Sequence, residues 1–434
     1  MTLAERIRRR EAAVAVVGLG RVGLPLAIAL ADAGLPVRGV EVDDQRRTSI
    51  ELGKMPFHEP GADDLLRQVV AEGRLTVSAS PAGAVDRADV VILCVGTPLG
   101  TDLRPDYGQL RRALDLVAPH LRPRQLVIQR STVSPGTLQK VVRPFLARRR
   151  PDLAETLLLA ACPERIAEGR ALAEMRTLPE IVGAADEESG EAASAVFESL
   201  APEKLIHRTD PTSAELAKLF TNVYRYVNFA LANEFALLSE YYGSDAHEVI
   251  GMVNERYPRA SVPMPGPTGG PCLSKDGYFL VEELNLPDFV LLAWKLNDST
   301  PAHVVRKVEE GLAELGTALD GTPVAVLGRT FKRDSDDERE SPSLRIVDIL
   351  EREGARVRTH DPFVPGPTLE EALAGARAMV LATNHSFYDT VAPDQVADLM
   401  EEPRLVVDCW GTLDRRAYAD AGIRVRTFGV GPNR

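Results

Sequence analysis

A short apolar strand followed directly by three spaced glycines is the feature that most constrains this fold. The segment VAVVGLGRVGLPLA places Gly18, Gly20 and Gly23 between a β-branched run and an apolar helical stretch. Glycines at this spacing permit a tight turn and let backbone N–H groups approach a pyrophosphate at the start of the following helix. A glycine turn without a ligand is the alternative. The order of strand, glycine loop and helix predicts the first unit of a dinucleotide-binding sheet.

The same alternation of strand and helix occurs in two separate parts of the chain. Buried parallel strands are predicted at 14–18, 36–42, 89–95 and 126–131, and again at 323–328, 355–362, 378–384 and 404–410. Between them, Ser213–Gly243 has no internal glycine or proline and is apolar at helical spacing. It predicts one long helix with Ser213 as its N-cap and Gly243 just beyond its end. We expect an α/β fold with two Rossmann-like doubly wound domains joined by a long central helix.

Charge and composition exclude several classes of protein. A formal charge of -12 argues against a nucleic-acid partner, which requires a basic face. The N-terminal apolar run is short and ends in glycines, so it predicts a strand rather than a secretory signal, and no stretch is long enough to span a membrane. Four widely spaced cysteines predict neither a metal site nor a disulfide framework. We therefore expect a cytoplasmic protein.

Glu41 indicates which dinucleotide is bound. It lies at the end of the second predicted strand, 18 residues after Gly23. An acidic residue there accepts hydrogen bonds from ribose hydroxyls and repels a 2′-phosphate, which favours NAD over NADP. Arg46 and Arg47 could tolerate that phosphate, so NADP stays open as the alternative.

Polar residues also follow three further predicted strands, namely Thr97, Thr132 and Glu164. In open α/β sheets, ligands bind at the carboxyl ends of the strands. We expect the two threonines on the nicotinamide side and Glu164 as an acid or a base. The alternatives are ordinary caps for the threonines and a first-turn helix acid for Glu164.

The long helix carries a polar stripe at positions i, i+4 and i+7, formed by Lys218, Asn222 and Arg225. Such a stripe is typical of a site lining, in which the lysine could act as a proton shuttle. A solvated lysine is the equal alternative.

A cysteine follows a loop of glycines and prolines in GPTGGPCLSKD. A reactive thiol needs an open backbone approach and nearby charge, and Cys272 has both, since Lys275 and Asp276 follow it.

Seven motifs of this sequence together resemble those of one known family. GLGRVGLPLA, GTP, STVSPGT, PERIAEG, ELAKLFTNVYRYVNFALANE, GPTGGPCLSKD and FKRDSDDERESP occur in this order, so the chain resembles the UDP-glucose and UDP-N-acetylmannosamine dehydrogenase family over almost its whole length. The resemblance implies an NAD-binding domain at 1–205, a central helical dimerisation and catalytic region at 206–310, and a UDP-sugar-binding Rossmann-like domain at 311–434. The chain departs from the family pattern at three places. Arg21 replaces an aromatic residue, the glycine loop is one residue shorter than in the acetamido-sugar branch, and LSKD replaces the more common prolyl form.

The resemblance also implies a four-electron oxidation of the sugar C6 alcohol with NAD. The family nucleophile matches Cys272, whose thiol forms a thiohemiacetal and then a thioester. Asp276 matches the acid that assists water. Lys218 and Asn222 match the pair that stabilises oxyanions, while Thr132 and Glu164 match residues that hold water and transfer protons.

Binding residues follow from the same motifs. The implied cofactor residues are Gly18, Gly20, Arg21, Val22, Gly23, Glu41, Thr97, Thr132 and Arg339. The implied substrate residues are Arg165, Ile166, Lys218, Asn222, Arg225, Arg259, Gly269, Phe331 and Lys332. Glycines 269 and 270 are expected to let the sugar approach closely. Arg259, or alternatively Arg256, matches an arginine supplied by a neighbouring subunit, which implies a homodimer or a higher homo-oligomer.

Arg225 and Arg259 favour the acetamido-sugar branch of the family. We expect UDP-N-acetylmannosamine first, UDP-N-acetylglucosamine second and UDP-glucose third. Two other functions remain open: a two-electron hydroxy-acid dehydrogenase, which would not need Cys272, and an inactive nucleotide-binding scaffold.

Overall fold

The computed structural model describes residues 1–281 and 287–432, which form two compact units. Unit 1 comprises Met1–Thr221 together with a short segment that begins at Tyr278. Unit 2 comprises Asn222–Gly277 and the described chain from Pro287 onwards. No helix among the described residues is long and apolar enough to cross a membrane.

Unit 1 is built on an eight-stranded sheet. Its strands are β1 (Val14–Val17), β2 (Val37–Val40), β3 (Leu75–Ser78), β4 (Val90–Leu93), β5 (Leu126–Gln129), β6 (Leu158–Ala161), β7 (Glu180–Ala184) and β8 (Ile206–Thr209). They lie in the order β3-β2-β1-β4-β5-β6-β7-β8, and only the β6–β7 pair is antiparallel. The strand order reverses between β1 and β4, which is where doubly wound sheets bind ligands.

Helices cover both faces of this sheet. They are α1 (Leu3–Arg8), α2 (Gly23–Asp32), α3 (Asp44–Glu51), α4 (Ala62–Ala71), α5 (Gly108–Val117), α6 (Arg143–Arg149), α7 (Ala171–Thr177) and α8 (Glu187–Glu198). A π-helical segment occupies Leu138–Val142, and 3₁₀ turns occupy Ala118–His120 and Pro151–Leu153. Val14 and Val16 of β1 lie in one apolar core, and Ala15 and Val17 lie in the other. Burial on both faces explains why the strands are apolar throughout.

The long central helix is confirmed as α9, Pro211–Tyr241. It begins two residues before the predicted N-cap, Ser213. The Asp210 carboxylate accepts the backbone N–H of Ser213 at 3.0 Å, so the capping prediction for Ser213 was wrong. Aspartate is an equally good cap, and Asp210 directly precedes the first residue of α9. Gly243 has a φ of +68°, as expected just beyond a helix end.

Unit 2 contains the second parallel sheet. Its strands are β9 (Pro323–Leu327), β10 (Arg356–His360), β11 (Ala378–Leu381), β12 (Leu405–Asp408) and β13 (Arg424–Thr427), in the order β10-β9-β11-β12-β13. Its helices are α10 (Ala246–Asn254), α11 (Leu273–Val281), α12 (Asp288–Glu314), α13 (Pro342–Arg352), α14 (Leu369–Leu373), α15 (Pro393–Leu399) and α16 (Arg415–Asp420), with a 3₁₀ turn at Ser386–Thr390. The α/β fold with two doubly wound sheets and a long central helix is therefore confirmed.

Candidate active site

The three glycines after β1 form a turn that leaves one backbone position open. Gly18 has a φ of +90°, which favours glycine. A Cβ on Gly23 would lie 1.9 Å from the carbonyl oxygen of Gly18, so only glycine allows the helix to pack this closely. A Cβ on Gly20 would meet no atom within 4 Å. Gly18 and Gly23 thus fix the turn, and Gly20 leaves its backbone open to a pyrophosphate, so the loop fits a dinucleotide.

Arg21 and Val22 separate Gly20 from Gly23 in this turn. The Arg21 guanidinium lies over the ring of Phe57, 5.0 Å from its centroid. Val22 directly precedes α2. Both are therefore at the helix N-terminus, where the sequence predicted cofactor contacts.

Glu41 follows β2 and is held by several donors. Its carboxylate accepts the backbone N–H of Leu19 at 3.0 Å and an Arg46 N–H at 3.1 Å. Arg47 donates to the Glu41 carbonyl oxygen at 3.2 Å and to Asp44 at 2.6 Å. Both arginines that could have tolerated a 2′-phosphate are thus paired with carboxylates, which favours NAD.

The loops that follow β4 and β5 are joined by hydrogen bonds. The Thr97 hydroxyl donates to the carbonyl oxygen of Thr132 at 2.6 Å, and the Ser131 hydroxyl donates to that of Val95 at 2.6 Å. Since β4 lies next to β1, these residues lie at the edge where the strand order reverses. The structure brings Thr97 and Thr132 together there, and their roles stay predictions.

Glu164 follows β6 and is a buried, fully bonded carboxylate. One oxygen accepts the backbone N–H groups of Arg165 at 2.7 Å and Ile166 at 3.0 Å, and the other accepts the Arg130 guanidinium. Burial would raise the pKa of Glu164, but the Arg130 charge and these hydrogen bonds outweigh it and lower that pKa. An ionised carboxylate can accept a proton, so of the two predicted roles, acid or base, the ionised state of Glu164 favours the base.

The predicted substrate residues Arg165 and Ile166 hold Glu164 through their main chain. The Arg165 guanidinium itself donates to the carbonyl oxygen of Pro179. Its side chain is therefore engaged within unit 1.

Arg130 is a site residue that the sequence reasoning missed. It directly follows β5, is only 2% exposed and bonds to Glu164 and Glu180. A buried charge is costly unless it is paired. The signal that could have found it is an arginine ending the apolar run LVIQ, in a strand predicted to be buried.

Cys272 lies directly before the first residue of α11 and is exposed. Its carbonyl oxygen accepts the backbone N–H groups of Lys275 at 3.2 Å and Asp276 at 3.0 Å. The positive end of a helix stabilises a thiolate at this position.

Asp276 lies one turn beyond Cys272 and is 0% exposed. Its carboxylate accepts an Asn222 amide N–H at 2.6 Å and the Lys275 ammonium at 3.0 Å. The structure thus brings two predicted catalytic residues, Asn222 and Asp276, into direct contact.

The predicted polar stripe of α9 divides by exposure. Lys218 and Asn222 are buried one turn apart, whereas Arg225 is exposed. Burial of a lysine and an amide on an otherwise apolar helix supports the site lining over the solvated alternative for these two.

The two loop glycines pack closely against the segment that follows β9. A Cβ on Gly269 would lie 2.6 Å from the Glu340 carbonyl oxygen, and a Cβ on Gly270 would lie 2.5 Å from the Phe331 ring. Gly270 also has a φ of +98° and donates its N–H to Glu340 at 3.0 Å. These contacts require glycine at both positions, and the predicted approach of a sugar to this backbone stays a prediction.

That segment follows β9, at the edge where the second sheet reverses its strand order. The Lys332 carbonyl oxygen accepts the Thr330 hydroxyl at 3.1 Å. The exposed Arg339 guanidinium donates to both oxygens of Asp337, at 2.9 Å and 2.6 Å. The edge after β9 and β11 is where a doubly wound sheet binds a nucleotide.

Arg259 and Arg256 are both exposed in the segment after α10. The Arg259 guanidinium lies 4.5 Å from the ring centroid of Tyr257 and donates to its hydroxyl at 2.6 Å. Either side chain is accessible to a neighbouring molecule.

Three family models match the chain in sequence order. They are the NAD binding domain (residues 12–201), the central domain (residues 212–298) and the UDP binding domain (residues 325–415) of the UDP-glucose/GDP-mannose dehydrogenase family.

Relatives match along almost the whole chain. It is 32% identical over 430 residues to a UDP-N-acetyl-D-mannosamine dehydrogenase of Methanococcus maripaludis, covering 96% of this chain and 97% of that one. The solved structure of a UDP-D-ManNAc dehydrogenase from Pyrococcus horikoshii superposes with a TM-score of 0.90 at 33% identity, covering 96% and 99%. A UDP-glucose dehydrogenase from Pyrobaculum islandicum gives a TM-score of 0.84 at 27% identity, covering 96% and 98%.

Proposed function

The chain belongs to the UDP-glucose/GDP-mannose dehydrogenase family and is an NAD-dependent nucleotide-sugar dehydrogenase, and from this premise we propose that it oxidises C6 of a UDP-N-acetylhexosamine to the uronic acid. UDP-N-acetyl-D-mannosamine is the first candidate, because the relative from Methanococcus maripaludis and the structure from Pyrococcus horikoshii are named for it. UDP-N-acetylglucosamine and UDP-glucose are the alternatives.

The proposed route passes through Cys272. The glycine loop and Glu41 would hold NAD, which would supply the hydride acceptor for two successive oxidations at the sugar C6. After the first, the Cys272 thiolate adds to the aldehyde carbon and forms a thiohemiacetal. After the second, the thioester is attacked by water, the C–S bond breaks and the thiolate leaves. One alcohol, one water and two NAD⁺ yield one carboxylate, two NADH and three protons.

The other predicted catalytic residues supply charge stabilisation and proton transfer in this proposal. Asn222 and Lys218 are donors for an oxyanion on the sugar C6. Asp276, fixed by Asn222 and Lys275, assists the water that opens the thioester. Glu164 and Thr132 hold water in unit 1, and the Glu164 carboxylate receives the proton. Lys332 and Phe331 contact the nucleotide.

One observation carries the proposal: the exposed Cys272 at the start of α11, with the buried Asp276–Asn222 pair one turn away. A two-electron dehydrogenase uses a lysine and an amide but does not need this thiol. In an inactive scaffold, burying an aspartate would cost free energy without any functional benefit.

Arg225 supports the acetamido sugar over glucose. It is exposed on α9, three residues beyond Asn222. A charge-assisted bond to an acetamido carbonyl is worth about 1.5–3 kcal/mol, or at least about a tenfold preference.

We also propose that the enzyme is a homodimer. Within unit 2, an apolar cavity of about 340 Å³ is lined by α9, α10 and a neighbouring turn, including Leu238, Tyr242, Val253 and Val262. Tyr242 is 77% and Val253 is 42% exposed. Apolar side chains that cluster in this way mark a protein interface. A second copy of the same surface is the proposed occupant, with Arg259 offered to the partner's site. Since Cys272 must stay reduced to act, the proposed location is the cytoplasm.

The test is a panel of UDP- and GDP-sugars with NAD, in which NADH is measured by absorbance and the sugar product is quantified. Two NADH per sugar, with UDP-N-acetylmannosamine preferred, is the expected result. One NADH per sugar would indicate the two-electron reaction, and none would indicate the scaffold. A clear preference for UDP-glucose would overturn the sugar assignment alone.

A further inference from the structure

Arg130 is fixed on several sides inside unit 1. One guanidinium nitrogen donates to Glu180 at 2.5 Å and to the Cys162 carbonyl oxygen at 2.8 Å, and the other donates to Glu164. The ring of Phe197 lies 4.7 Å from the guanidinium. A side chain with this many contacts has one orientation, and so does the carboxylate it holds.

The guanidinium is shared between two carboxylates in unequal environments. Glu164 also accepts two backbone N–H groups, whereas Glu180 has a Lys204 ammonium at 4.0 Å. Burial, together with the Glu164 charge, raises the pKa of Glu180 despite Arg130. The pKa of Glu164 is instead lowered, so Glu164 is the member of the pair that stays ionised.

Other titratable groups also act on this pair. Cys162 is buried nearby and Cys94 is half-buried, and loss of solvation raises the pKa of both thiols, which keeps them uncharged. Burial lowers the pKa of Lys204, although Glu180 opposes this. Arg165 adds a further positive charge near Lys204. Arg130 is thus the cation that contacts Glu164 directly.

We infer that Arg130 is a positioning residue, which holds Glu164 ionised and in one orientation for proton acceptance, and that Glu180 anchors the other side of the guanidinium. The inference rests on the proposed function, in which Glu164 receives protons. A lysine at position 130 could not replace Arg130, because a point charge lacks the planar fork that reaches both carboxylates.

The experiment compares pH profiles of kcat/KM for NADH formation in the wild type, Arg130→Lys and Glu164→Gln. Arg130→Lys should lower kcat/KM at least about tenfold at pH 7 and move the acid limb upward by about one pH unit. Glu164→Gln should remove that limb. An Arg130→Lys profile with the wild-type limb, or a limb that persists in Glu164→Gln, overturns the inference.

Arg150→Lys is the matched control. Arg150 also bonds a carboxylate, Asp152, and several carbonyl oxygens, among them Ala118 and Leu121. It should lose thermal stability and keep the wild-type limb. A limb that moves equally in this control would show that the shift is a general effect of destabilisation, and would overturn the inference.

Glu180→Gln covers the case in which Arg130→Lys does not fold. Glu180 is already protonated at the pH where Glu164 ionises, so a neutral amide that still accepts from Arg130 should leave the acid limb where it is. A limb that moves by about one pH unit in Glu180→Gln would assign the effect to Glu180 and contradict the inference.

The carboxyl ¹³C titration of Glu164, assigned with Glu164→Gln, needs no substrate. It separates this inference from the proposed function, which fails if the wild type forms no NADH with any sugar. The Glu164 pKa should rise in Arg130→Lys and stay in place in Glu180→Gln. A titration unchanged in Arg130→Lys, or one that shifts in Glu180→Gln, overturns the positioning role, whatever the sugar panel shows.

Discussion

Exposure separates Cys272 from the other cysteines of this chain. Cys162 and Cys409 are buried, and burial raises the pKa of both thiols. Burial also raises the pKa of Cys94 to about 12. A thiol must ionise to attack a carbonyl, so these three are inert while Cys272 has solvent access and a helix N-terminus.

Cys272→Ser should therefore form almost no carboxylate, with a loss of at least about 1,000-fold, because serine is a poor nucleophile without an adjacent base. The measurement is sugar acid formed per enzyme, by chromatography. Cys409→Ala is the control and should retain turnover, since Cys409 packs as a small apolar side chain. Undiminished acid production by Cys272→Ser would exclude the covalent route.

Lys218→Ala should lower kcat much more than it changes KM. The proposed role is to stabilise charge that develops during hydride transfer, and such an interaction contributes mainly in the transition state. A loss of about 100-fold or more in kcat is expected from steady-state NADH formation. The exposed Lys295 on α12 provides a control, as Lys295→Ala should leave both constants unchanged. Normal kcat with a raised KM in Lys218→Ala would contradict this role.

Helices and strands were predictable from the sequence where a local residue pattern alone determines them. The strand after Ala13 and the long helix were predicted, because β-branched runs and helical periodicity depend on neighbours in the chain. Gly269 and Gly270 were recognised as a close approach, but their partner was not. Phe331 and Glu340 lie far away in sequence, and no local pattern encodes that contact.

The same limit applies to buried charge. Arg130 was passed over because its partners Glu164 and Glu180 become neighbours only when β5, β6 and β7 align in the sheet. Glu215 was missed for a similar reason. From the first turns of α9 it accepts the backbone N–H groups of Gly136 at 2.5 Å and Leu138 at 2.9 Å, in the loop after β5.

Glu215 gives a prediction on stability against pH. Burial raises its pKa to about 7, although the hydrogen bonds from Leu138 and Gly136 oppose this. The folded state therefore keeps a proton that the unfolded state releases near pH 4.5. The protonated Glu215 contributes fully to the free energy of unfolding below pH 4.5. This contribution is lost as the pH rises to about 7, and the total loss is at most about 3 kcal/mol.

The measurement is urea unfolding of the wild type and Glu215→Gln at pH 5 and pH 8. Glu215→Gln should lower the free energy of unfolding at both pH values, because the amide NH₂ group of glutamine would face one of the two backbone N–H donors and cannot accept from it. The difference between the proteins should shrink by about 1–3 kcal/mol at pH 8, where only the wild type has lost its contribution. A difference that stays constant with pH would contradict the titration of Glu215.

At the scale of the whole molecule, the predicted functional groups are distributed over both units. The glycine loop, Glu41 and Glu164 belong to unit 1, whereas Cys272 and Asp276 belong to unit 2. Helix α9 runs through the division, which falls between Thr221 and Asn222. The sequence predicted the continuous helix, but the division inside it carries no sequence signal.

The apolar surface of α9 and α10 predicts self-association. Leu238→Glu places a charge in the apolar cavity of unit 2 and should convert the dimer into a monomer, because a buried unpaired charge costs several kcal/mol. The measurement is sedimentation equilibrium at micromolar concentration. Leu116→Glu is the control: Leu116 is 49% exposed on α5, close to the 44% of Leu238, and lies outside that cavity. A Leu238→Glu protein that remains dimeric would place the interface elsewhere.

A shared site is tested by mixing two inactive proteins. Cys272→Ser keeps a normal Arg259, and Arg259→Ala keeps a normal Cys272, so a mixed dimer contains one site with both groups if the arginine acts across the interface. Random exchange makes half of the dimers mixed, and one of their two sites is complete, so roughly a quarter of wild-type activity should return. The same mixture made with Arg256→Ala tests the alternative arginine. If subunits exchange, as shown by mass-tagged copies, and no activity returns with either arginine variant, each active site is built from a single chain.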